Sequence, residues 1–388
     1  MISQEKQEKL IDLLGSDTFA SVNQGLGLLQ TLSRVYPDLI VDMFGQIEVS
    51  DGFSSYLAKG QIVLPERLEN AKHGLYVGLS LLPKANNRVS HLALNSMSLT
   101  KVPSEIGQLH HLQLLNLSCN QLESLPSQIG FLSRLRYLNV RMNSLRHLPE
   151  TLSELQFLED FDVSTNPLQS LPSRLSVVTL SPAQLQGFSE QIHKWKDMQN
   201  LHVSGRNFSH FLKKVPEDLA YLPSLKNLDL SWNEISILPE AFSTVEGLSI
   251  DVRYNPLRKL PSQLTALIVD AGLWRRKQHL ICSLETLYRL QIESDSSNQV
   301  THLTAKIANL HSLKELRIRH GGLLSLPHEI GQLSNLKILD VEGNDLESLP
   351  STVQNMLSLE RLNIKMNPLS SASIDLIQHW LPNTMILF

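Results

Sequence analysis

The residue types that usually carry catalysis or bind metals occur in this chain, but their spacing does not assemble a site. His110 and His111 are adjacent, so their side chains point in different directions and do not share a metal ion. Cys119 stands directly before Asn120, and no base can be placed beside its thiol. The chain has no GxxxxGK[ST] phosphate loop, no CxxC pair and no HExxH helix. We therefore predict a protein that is not an enzyme, with no catalytic residue, no metal and no cofactor.

The more informative side chains are of the kind that bind other proteins. Tryptophan, tyrosine and arginine contribute most of the binding free energy in protein interfaces. In this chain they stand at regular intervals between leucines, so their positions depend on the element that the leucines form.

That element is a repeat of about 23 residues, and self-similarity at such a period is typical of solenoids. Clear copies start with LQLLNLSCNQLESLP at 112, LRYLNVRMNSLRHLP at 135, LKELRIRHGGLLSLP at 313 and LKILDVEGNDLESLP at 336. One copy cannot bury its leucines alone, so neighbouring copies must stack. We predict an α/β solenoid, a horseshoe with a parallel concave sheet, an N-terminal α-hairpin cap and a C-terminal helix cap.

The first of these copies shows how one coil is built. Leu115 and Leu117 point to one side of a short strand and Asn116 points to the other. Asn120 follows where the strand must end, and its amide can bond backbone groups that the turn leaves unpaired. Pro126 then prevents further strand pairing, and the chain returns along a second side.

Regular coils fill residues 89–370, about thirteen in all, and a second period runs through them. A short, an atypical and a long coil begin at 158, 175 and 198, and the same order recurs 89 residues later, at 247, 264 and 287. This offset favours duplication of a four-coil block. We predict that residues 175–197 and 264–286 each add a strand and an outer helix, with helix near 191–195 and 280–284.

The two ends of the chain differ from the coils. Residues 1–45 have two apolar segments at helical spacing and are predicted to form a helical hairpin. The hairpin either covers the first exposed coil or docks as a separate module, and the sequence leaves both open. Residues 46–88 are predicted to be a lead-in segment with a helix near 66–82, and residues 371–388 a C-terminal cap.

A candidate binding site follows from the alternation of side chains along each strand, because those between the buried leucines project onto the concave face. The predicted partner-binding residues are Tyr137, Arg141, Asp162, Trp232, Arg253, Tyr254, Arg317 and Arg319. Trp232 and Tyr254 occupy one column in neighbouring coils, close enough to touch across a strand spacing of about 5 Å. We expect them to anchor a partner, with Arg141 and Arg253 beside them and a basic strip at 317–319. Each such residue can also be an ordinary solvated strand residue.

Composition and the N-terminal residues indicate which partners and which cellular compartment the protein has. The chain has 388 residues and a formal net charge of −4, which gives no electrostatic case for nucleic acid. Two cysteines are too few for a disulfide framework. The N-terminal residues lack the pattern of a secretory signal, and no apolar stretch is long enough to span a membrane. These features predict a cytoplasmic protein without membrane insertion, and they leave its oligomeric state undetermined.

The repeats resemble the leucine-rich repeat family. The consensus L-x-x-L-x-L-x-x-N-x-L stands in full from Leu112 to Leu122, and with one valine from Leu135 to Leu145 and from Leu336 to Leu346. The continuations LPSQIGFL and LPHEIGQL are similar to the intracellular L-P-x-x-I-G-x-L subclass of Ras-group and bacterial repeats. The resemblance covers about three quarters of the chain and implies a protein-binding module that uses its concave sheet.

Three hypotheses for the function remain after these arguments. The favoured one is a non-catalytic scaffold for protein–protein interaction, binding a protein on the concave face. An alternative is the recognition arm of a larger signalling or effector system, in which the N-terminal hairpin is the docking module. An enzyme or small-ligand binder is the weakest hypothesis and would require a deep polar pocket.

Overall fold

The structure, a computed structural model, describes residues 61–63, 90–295 and 298–388. It divides into two compact units. The first contains the described residues up to Leu180 together with Lys194–Met198, and the second contains Ser181–His193 and Gln199–Phe388. The predicted N-terminal hairpin and the helix predicted near 66–82 lie outside the described residues.

Each unit contains a parallel sheet whose strands follow one another in chain order. The strands of the first unit are β1 (Gln61–Val63), β2 (His91–Ala93), β3 (Leu114–Asn116), β4 (Tyr137–Asn139), β5 (Asp160–Asp162) and β6 (Val177–Thr179). Those of the second are β7 (Asn200–His202), β8 (Asn227–Asp229), β9 (Ser249–Asp251), β10 (Ala266–Asp270), β11 (Arg289–Glu293), β12 (Glu315–Arg319), β13 (Ile338–Asp340), β14 (Arg361–Asn363) and β15 (Met385–Leu387). Each predicted coil from 89 to 370 holds one of the strands β2 to β14.

Short 3-10 helices form the return segments of most coils. They span Ser104–Gln108, Ser127–Phe131, Glu150–Glu154, Ser189–Lys194, Glu217–Tyr221, Glu240–Thr244, Ala305–Asn309, His328–Gln332 and Ser351–Asn355. Most begin directly after the proline of the Leu-Pro step, whose fixed φ suits the residue before a helix. Three α-helices complete the described elements: α1 (Pro182–Gly187), α2 (Ala271–Ile281) and α3 (Ser371–Trp380).

Leucine columns form the core between the strands and the return segments. The register places each strand leucine opposite the next, so Leu92 pairs with Leu115 and Leu115 with Leu138, and the first two have no exposed surface. Burying a leucine side chain fully is worth about 1.5–3 kcal/mol, and every coil contributes several. The predicted α/β solenoid with a parallel sheet is confirmed in each unit.

An asparagine ladder closes the turn after the strand in seven of the described coils, as the sequence predicts for Asn120. The Asn120 Oδ1 accepts from the backbone N–H of Met97 and of Leu99 at 3.0 and 2.9 Å. Its Nδ2 donates to the carbonyls of Leu94 and Leu117, both at 2.8 Å. The same bonds recur in other coils, at Asn143, Asn166, Asn233, Asn255, Asn344 and Asn367. Each asparagine therefore joins its own turn to the preceding coil.

The two atypical coils contain a strand followed by an α-helix, but both helices start earlier than predicted, and α2 ends at Ile281, near the start of the predicted segment 280–284. Ser181 caps α1 through a capping box with Gln184, and Pro182 stands at the first helical position. α1 ends at Gly187, and a 3-10 helix, Ser189–Lys194, occupies the segment where helix was predicted. In the second copy Asp270 caps α2, which continues to Ile281 without interruption. Local capping residues thus decide where each helix begins.

A recurrent hydrogen bond joins the return segment of each short coil to that of the preceding coil. Glu240 accepts from the Ser262 backbone N–H at 2.8 Å and also from the hydroxyls of Ser262 and Ser243. Glu150 accepts in the same way from the backbone N–H and hydroxyl of Ser173, at 3.1 and 3.2 Å. Both glutamates follow a Leu-Pro step, and both serines directly follow a proline, 89 residues apart.

Replacing Glu240 with alanine is expected to destabilise the protein more at neutral pH than in acid. The hydrogen bond from the Ser262 hydroxyl, followed by those of the Ser262 amide and Ser243, lowers the pKa of Glu240 from 4.5 to about 2. A carboxylate whose pKa falls on folding stabilises the native state above its unfolded pKa, and this contribution disappears as the pH falls toward 2. Thermal melts across this pH range should therefore show the gap between Glu240→Ala and wild type narrowing. A gap that stays constant, or that Glu246→Ala reproduces, would contradict this origin.

Candidate functional site

One position of the turn, directly before the ladder asparagine or the residue in its place, adopts a left-handed backbone conformation, and its side chains are here called the column of each unit. Non-glycine members, with φ between 49° and 58°, are Ser96, Cys119, Met142 and Thr165 in the first unit and Trp232, Tyr254, His320 and Met366 in the second. Ser96 precedes Met97 and His320 precedes Gly321, whereas the others precede an asparagine. Such a conformation costs a non-glycine residue about 1–3 kcal/mol unless the surroundings impose it. Side chains of the column meet across neighbouring coils at Cys119 and Met142 and at Trp232 and Tyr254.

Two members of the column, Trp232 and Tyr254, form an aromatic stack in the second unit. Their ring centroids lie 3.8 Å apart with an interplanar angle of 22°. The Arg206 guanidinium lies 5.3 Å from the centroid of the Trp232 ring, within the range of a cation–π interaction. Both aromatic side chains are half-buried. The predicted contact between Trp232 and Tyr254 is thus present, and Arg206 extends it in a way that the sequence did not indicate.

Polar contacts fix the tyrosine of the stack. The Tyr254 hydroxyl donates to Asp295 Oδ2 at 2.9 Å, and its backbone N–H donates to Asp270 Oδ2 at 2.7 Å. Burial, and then the hydrogen bond to Asp295, raise the pKa of the Tyr254 phenol. The phenol therefore stays protonated and holds the ring in place, which lowers the entropy cost of contacting it.

Arg253 is the residue directly before Tyr254, and its guanidinium is bound to Asp251, the last residue of β9. Its Nε is 2.9 Å and its Nη2 is 2.6 Å from Asp251 Oδ2, and Asp251 is 7% exposed. Burial raises the pKa of Asp251. The hydrogen bond from Arg253 opposes this increase, whereas the charge of Asp229 on the neighbouring strand adds to it. Burial also opposes ionisation of Asp229, but hydrogen bonds from His202 and Ser231 outweigh it and lower its pKa.

The basic strip predicted at 317–319 is neutralised in the structure. Arg319 Nε donates to Asp340 Oδ2 at 2.8 Å, and Asp340 is 4% exposed. Arg317 forms an ion pair with the buried Glu315, which also accepts from Arg289 Nε at 2.7 Å. Glu315 and Asp340 alternate with the strand leucines, so the sequence indicates that they lie on the same face as the arginines. The ion pairs between coils depend on strand register, and the sequence did not predict them.

The remaining predicted site residues belong to the first unit. The exposed Tyr137 donates its hydroxyl to Glu159 Oε2 at 3.1 Å, and Glu159 also binds Arg136. Asp162 Oδ1 accepts from the backbone N–H of Ser164 at 2.9 Å. The backbone N–H of Arg141 donates to Asn139 Oδ1 at 3.0 Å. The structure brings Trp232, Arg253 and Tyr254 together, while Arg317 and Arg319 lie on β12, three strands beyond β9 in the second unit.

The two cysteines are unpaired and differ in environment. Cys119 is exposed, with its Sγ 3.7 Å from Met142 Sδ in the same column. Burial raises the pKa of Cys282 to about 12, so this thiol is not a nucleophile at neutral pH.

No metal-binding cluster or membrane-spanning helix occurs within the described ranges. Among these residues no group of three or more His, Cys, Asp or Glu side chains could hold a metal ion. None of the helices placed by the structure is both long enough and apolar enough to cross a bilayer. A depression of about 750 Å³ in the first unit is lined by Phe131, Glu154, Arg174 and Asp197 among others, with no histidine or cysteine in its wall.

Comparison with known families agrees with this architecture. A model described as a leucine-rich repeat region matches residues 276–375, and a second, described as a leucine-rich repeat, matches 111–132 and 224–245. These matches support the leucine-rich repeat family for this chain.

Solved structures of repeat proteins are also similar to the chain. A leucine-rich repeat protein from Leptospira interrogans is 25% identical over 85% of this chain and 82% of its own, with a TM-score of 0.35. An internalin from Listeria monocytogenes is 19% identical over 84% and 91%, with a TM-score of 0.39. The mouse RP105/MD-1 complex is 20% identical over 75% and 53%, with a TM-score of 0.48. With TM-scores below 0.5, none of these likenesses bears on function.

Proposed function

We propose that this protein is a non-catalytic scaffold that binds a protein partner on the concave face of its sheet, with Trp232 and Tyr254 as the anchor. The observation that carries the proposal is the aromatic stack, which combines two half-exposed rings with a backbone that cannot easily rearrange. Pre-ordered aromatic side chains bind tightly because little rotamer freedom remains to be lost. We also propose the intracellular L-P-x-x-I-G-x-L subclass and a cytoplasmic location, which the two unpaired cysteines support.

Arg253 is proposed as a specificity residue beside the anchor, with a role different from that of a free cation. Its guanidinium is held by Asp251 and remains about one third exposed, so a partner meets an ion pair in fixed orientation. Truncating one member of such a pair leaves the other uncompensated. We assign Arg317 and Arg319 to the rim of this face in the second unit, where contacts contribute less to affinity, and Tyr137, Arg141 and Asp162 to partner contacts of the first unit.

Replacing Trp232 is expected to weaken partner binding at least tenfold, which is about 1.4 kcal/mol or more for a central aromatic residue. Asparagine is the substitute of choice at this position, because it tolerates positive φ and removes only the ring. The matched control is Tyr221→Ala, which removes a ring that is 69% exposed on the 3-10 helix of another face.

The measurement compares the immobilised full chain and its variants in affinity capture from the native cell. A protein retained by wild type and Tyr221→Ala but lost with Trp232→Asn is then purified, and its dissociation constant is measured against each variant and Arg253→Glu. Circular dichroism checks that each variant is folded. If every captured protein binds folded Trp232→Asn and Arg253→Glu as tightly as wild type, the proposed site is wrong.

The alternative function, a recognition arm that docks through its N-terminal hairpin, makes a different prediction. Deleting residues 1–45 would then abolish capture of a second protein while leaving the Trp232-dependent partner bound. Loss of no protein on deletion removes this alternative and leaves the scaffold proposal intact.

A further inference from the structure

The cations of the second unit differ in whether they have carboxylate partners. Arg253, Arg289, Arg317 and Arg319, on or next to the strands, all lie in ion pairs. Six cations on the segments that follow β9, β10 and β11 have none among the described residues, and neither do the more scattered Lys214, Lys226, Lys314, Arg361 and Lys365. The six are Arg258, Lys259, Arg275, Arg276, Lys277 and Lys306, here called the outer basic patch. Five of the six are exposed and Lys277 is half-buried.

The patch covers three successive coils around α2. The helix AGLWRRKQHLI has no acidic residue, and it buries Leu273, Trp274 and Ile281 while Arg275 and Arg276 face outward. Arg275 donates to the neutral amide oxygen of Asn298 in the next coil. Lys306 of that coil lies close enough to influence the Cys282 thiol at the end of α2.

Two acidic side chains stand near the patch, and both are already engaged. Asp270 Oδ1 and Arg276 Nη1 lie beside the same glycine, Gly272, but the Asp270 carboxylate accepts the backbone N–H groups of Leu273 and Tyr254. The charge of Lys259 acts on Glu240, but that carboxylate is bound by three donors from Ser262 and Ser243. Six like charges without an ion-pair partner therefore lie on three successive coils of a chain whose net charge is −4. Such a concentration raises the local potential and attracts anionic partners.

The equivalent coils 89 residues earlier show that the fold does not require these cations. The two copies are aligned by pairing the helix caps Ser181 and Asp270 and the ladder residues Asn166 and Asn255. Lys306 is aligned by pairing Leu219 with Ile307, the buried residues of the two corresponding 3-10 helices. In the earlier copy the matching residues are Gln169, Ser170, Gln186, Gly187, Phe188 and Asp218, none of them basic. Positive charge thus distinguishes the second copy at all six positions.

The side chains around the patch narrow the class of partner. Among the described residues from 238 to 323, no large hydrophobic side chain is strongly exposed, and the exposed Ile237 stands opposite Lys259 at the edge of the patch. Stacking of single-stranded nucleic acid uses several aromatic side chains, and stable membrane binding adds a larger area of inserted apolar groups to the basic charge. Carboxylates of a polypeptide need only paired arginine and lysine donors. We propose that the outer basic patch docks an acidic protein segment, at a face distinct from that of Trp232 and Tyr254.

The test uses the full chain and a fluorescein-labelled oligoglutamate peptide as the probe. Binding is measured by fluorescence anisotropy at low and at physiological ionic strength. The test variant combines Arg275→Gln, Arg276→Gln and Lys277→Gln, since glutamine preserves helix propensity and removes three charges. The control variant combines Lys101→Gln, Arg134→Gln and Arg146→Gln, three exposed cations of the first unit, and changes the net charge equally.

The wild type and the control variant are expected to bind the probe alike, whereas the test variant binds it at least about tenfold more weakly. The affinity of the wild type should fall as ionic strength rises. Equal weakening in the control variant, or none in the test variant, overturns the proposal. Tighter binding of single-stranded RNA or of phosphatidylserine vesicles than of the oligoglutamate, under the same conditions, overturns the choice of an acidic polypeptide. Trp232→Asn is expected to bind the probe normally, which separates this face from the proposed scaffold site.

Discussion

Replacing Asn344 with alanine is expected to lower the free energy of unfolding by about 3–5 kcal/mol, because buried backbone groups lose their partners. Its Oδ1 accepts from the backbone N–H groups of Gly321 and Leu323 at 2.9 and 3.0 Å. Its Nδ2 donates to the carbonyls of Ile318 and Val341 at 2.7 and 2.8 Å. The side chain is 3% exposed, so water cannot replace these bonds without opening the turn. Each unpaired buried group costs about 1–3 kcal/mol.

The matched control for Asn344→Ala is Asn309→Ala, at an exposed position at the end of a 3-10 helix. This substitution is expected to change stability by less than about 0.5 kcal/mol. Urea denaturation measures the difference, and hydrogen exchange of the Gly321 and Leu323 amides measures it locally. Local exchange matters because coils of a solenoid interact with their neighbours and need not unfold together. Unchanged protection of both amides in Asn344→Ala would show that the ladder is not what closes the turn.

Replacing Gly331 with alanine is expected to destabilise the protein by about 1–3 kcal/mol through overpacking. The glycine of the I-G step packs against the backbone of the following coil, so an added Cβ would lie under 3.0 Å from the carbonyl oxygen of Thr352. Real Cβ atoms essentially never approach other atoms so closely, and the obstacle is backbone that cannot rotate away. Gly107 and Gly130 meet Gln128 and Thr151 in the same way, so the effect belongs to the repeat.

The control for Gly331→Ala is Gly187→Ala at the end of α1, where nothing lies within 4 Å of the added Cβ. There the loss of backbone freedom in the unfolded chain is expected to leave stability unchanged or to raise it by about 0.4–1 kcal/mol. Thermal or urea unfolding of the two variants distinguishes steric overlap from the general effect of replacing glycine. Equal stability changes in both variants would rule out close packing between the coils as the reason for glycine in the I-G step.

The sequence determined the features that depend on local chemistry and period. Leucines at positions such as Leu115 and Leu117 define a buried column. Asparagines such as Asn120 follow the strand, and prolines such as Pro126 stand directly before the return segment. These residues recur from coil to coil, so the stacked parallel sheet and the contact between Trp232 and Tyr254 followed from the spacing alone. The 89-residue offset was also readable, and it supplied the pairs of positions on which the outer basic patch is argued.

Only the tertiary structure decided which charges remain unpaired. Arg317 and Arg319 read as a basic strip, yet Glu315 and Asp340 neutralise them. Arg275 and Arg276 read as ordinary helix residues, yet no described carboxylate reaches them. Likewise Arg206, in the coil before that of Trp232, lies over its ring. Ion pairing and ring contact depend on distances between coils, set by register and by the helix caps at Ser181 and Asp270. A linear pattern gives the direction of a side chain from its own strand, but its partner in a neighbouring coil is fixed only when the coils stack.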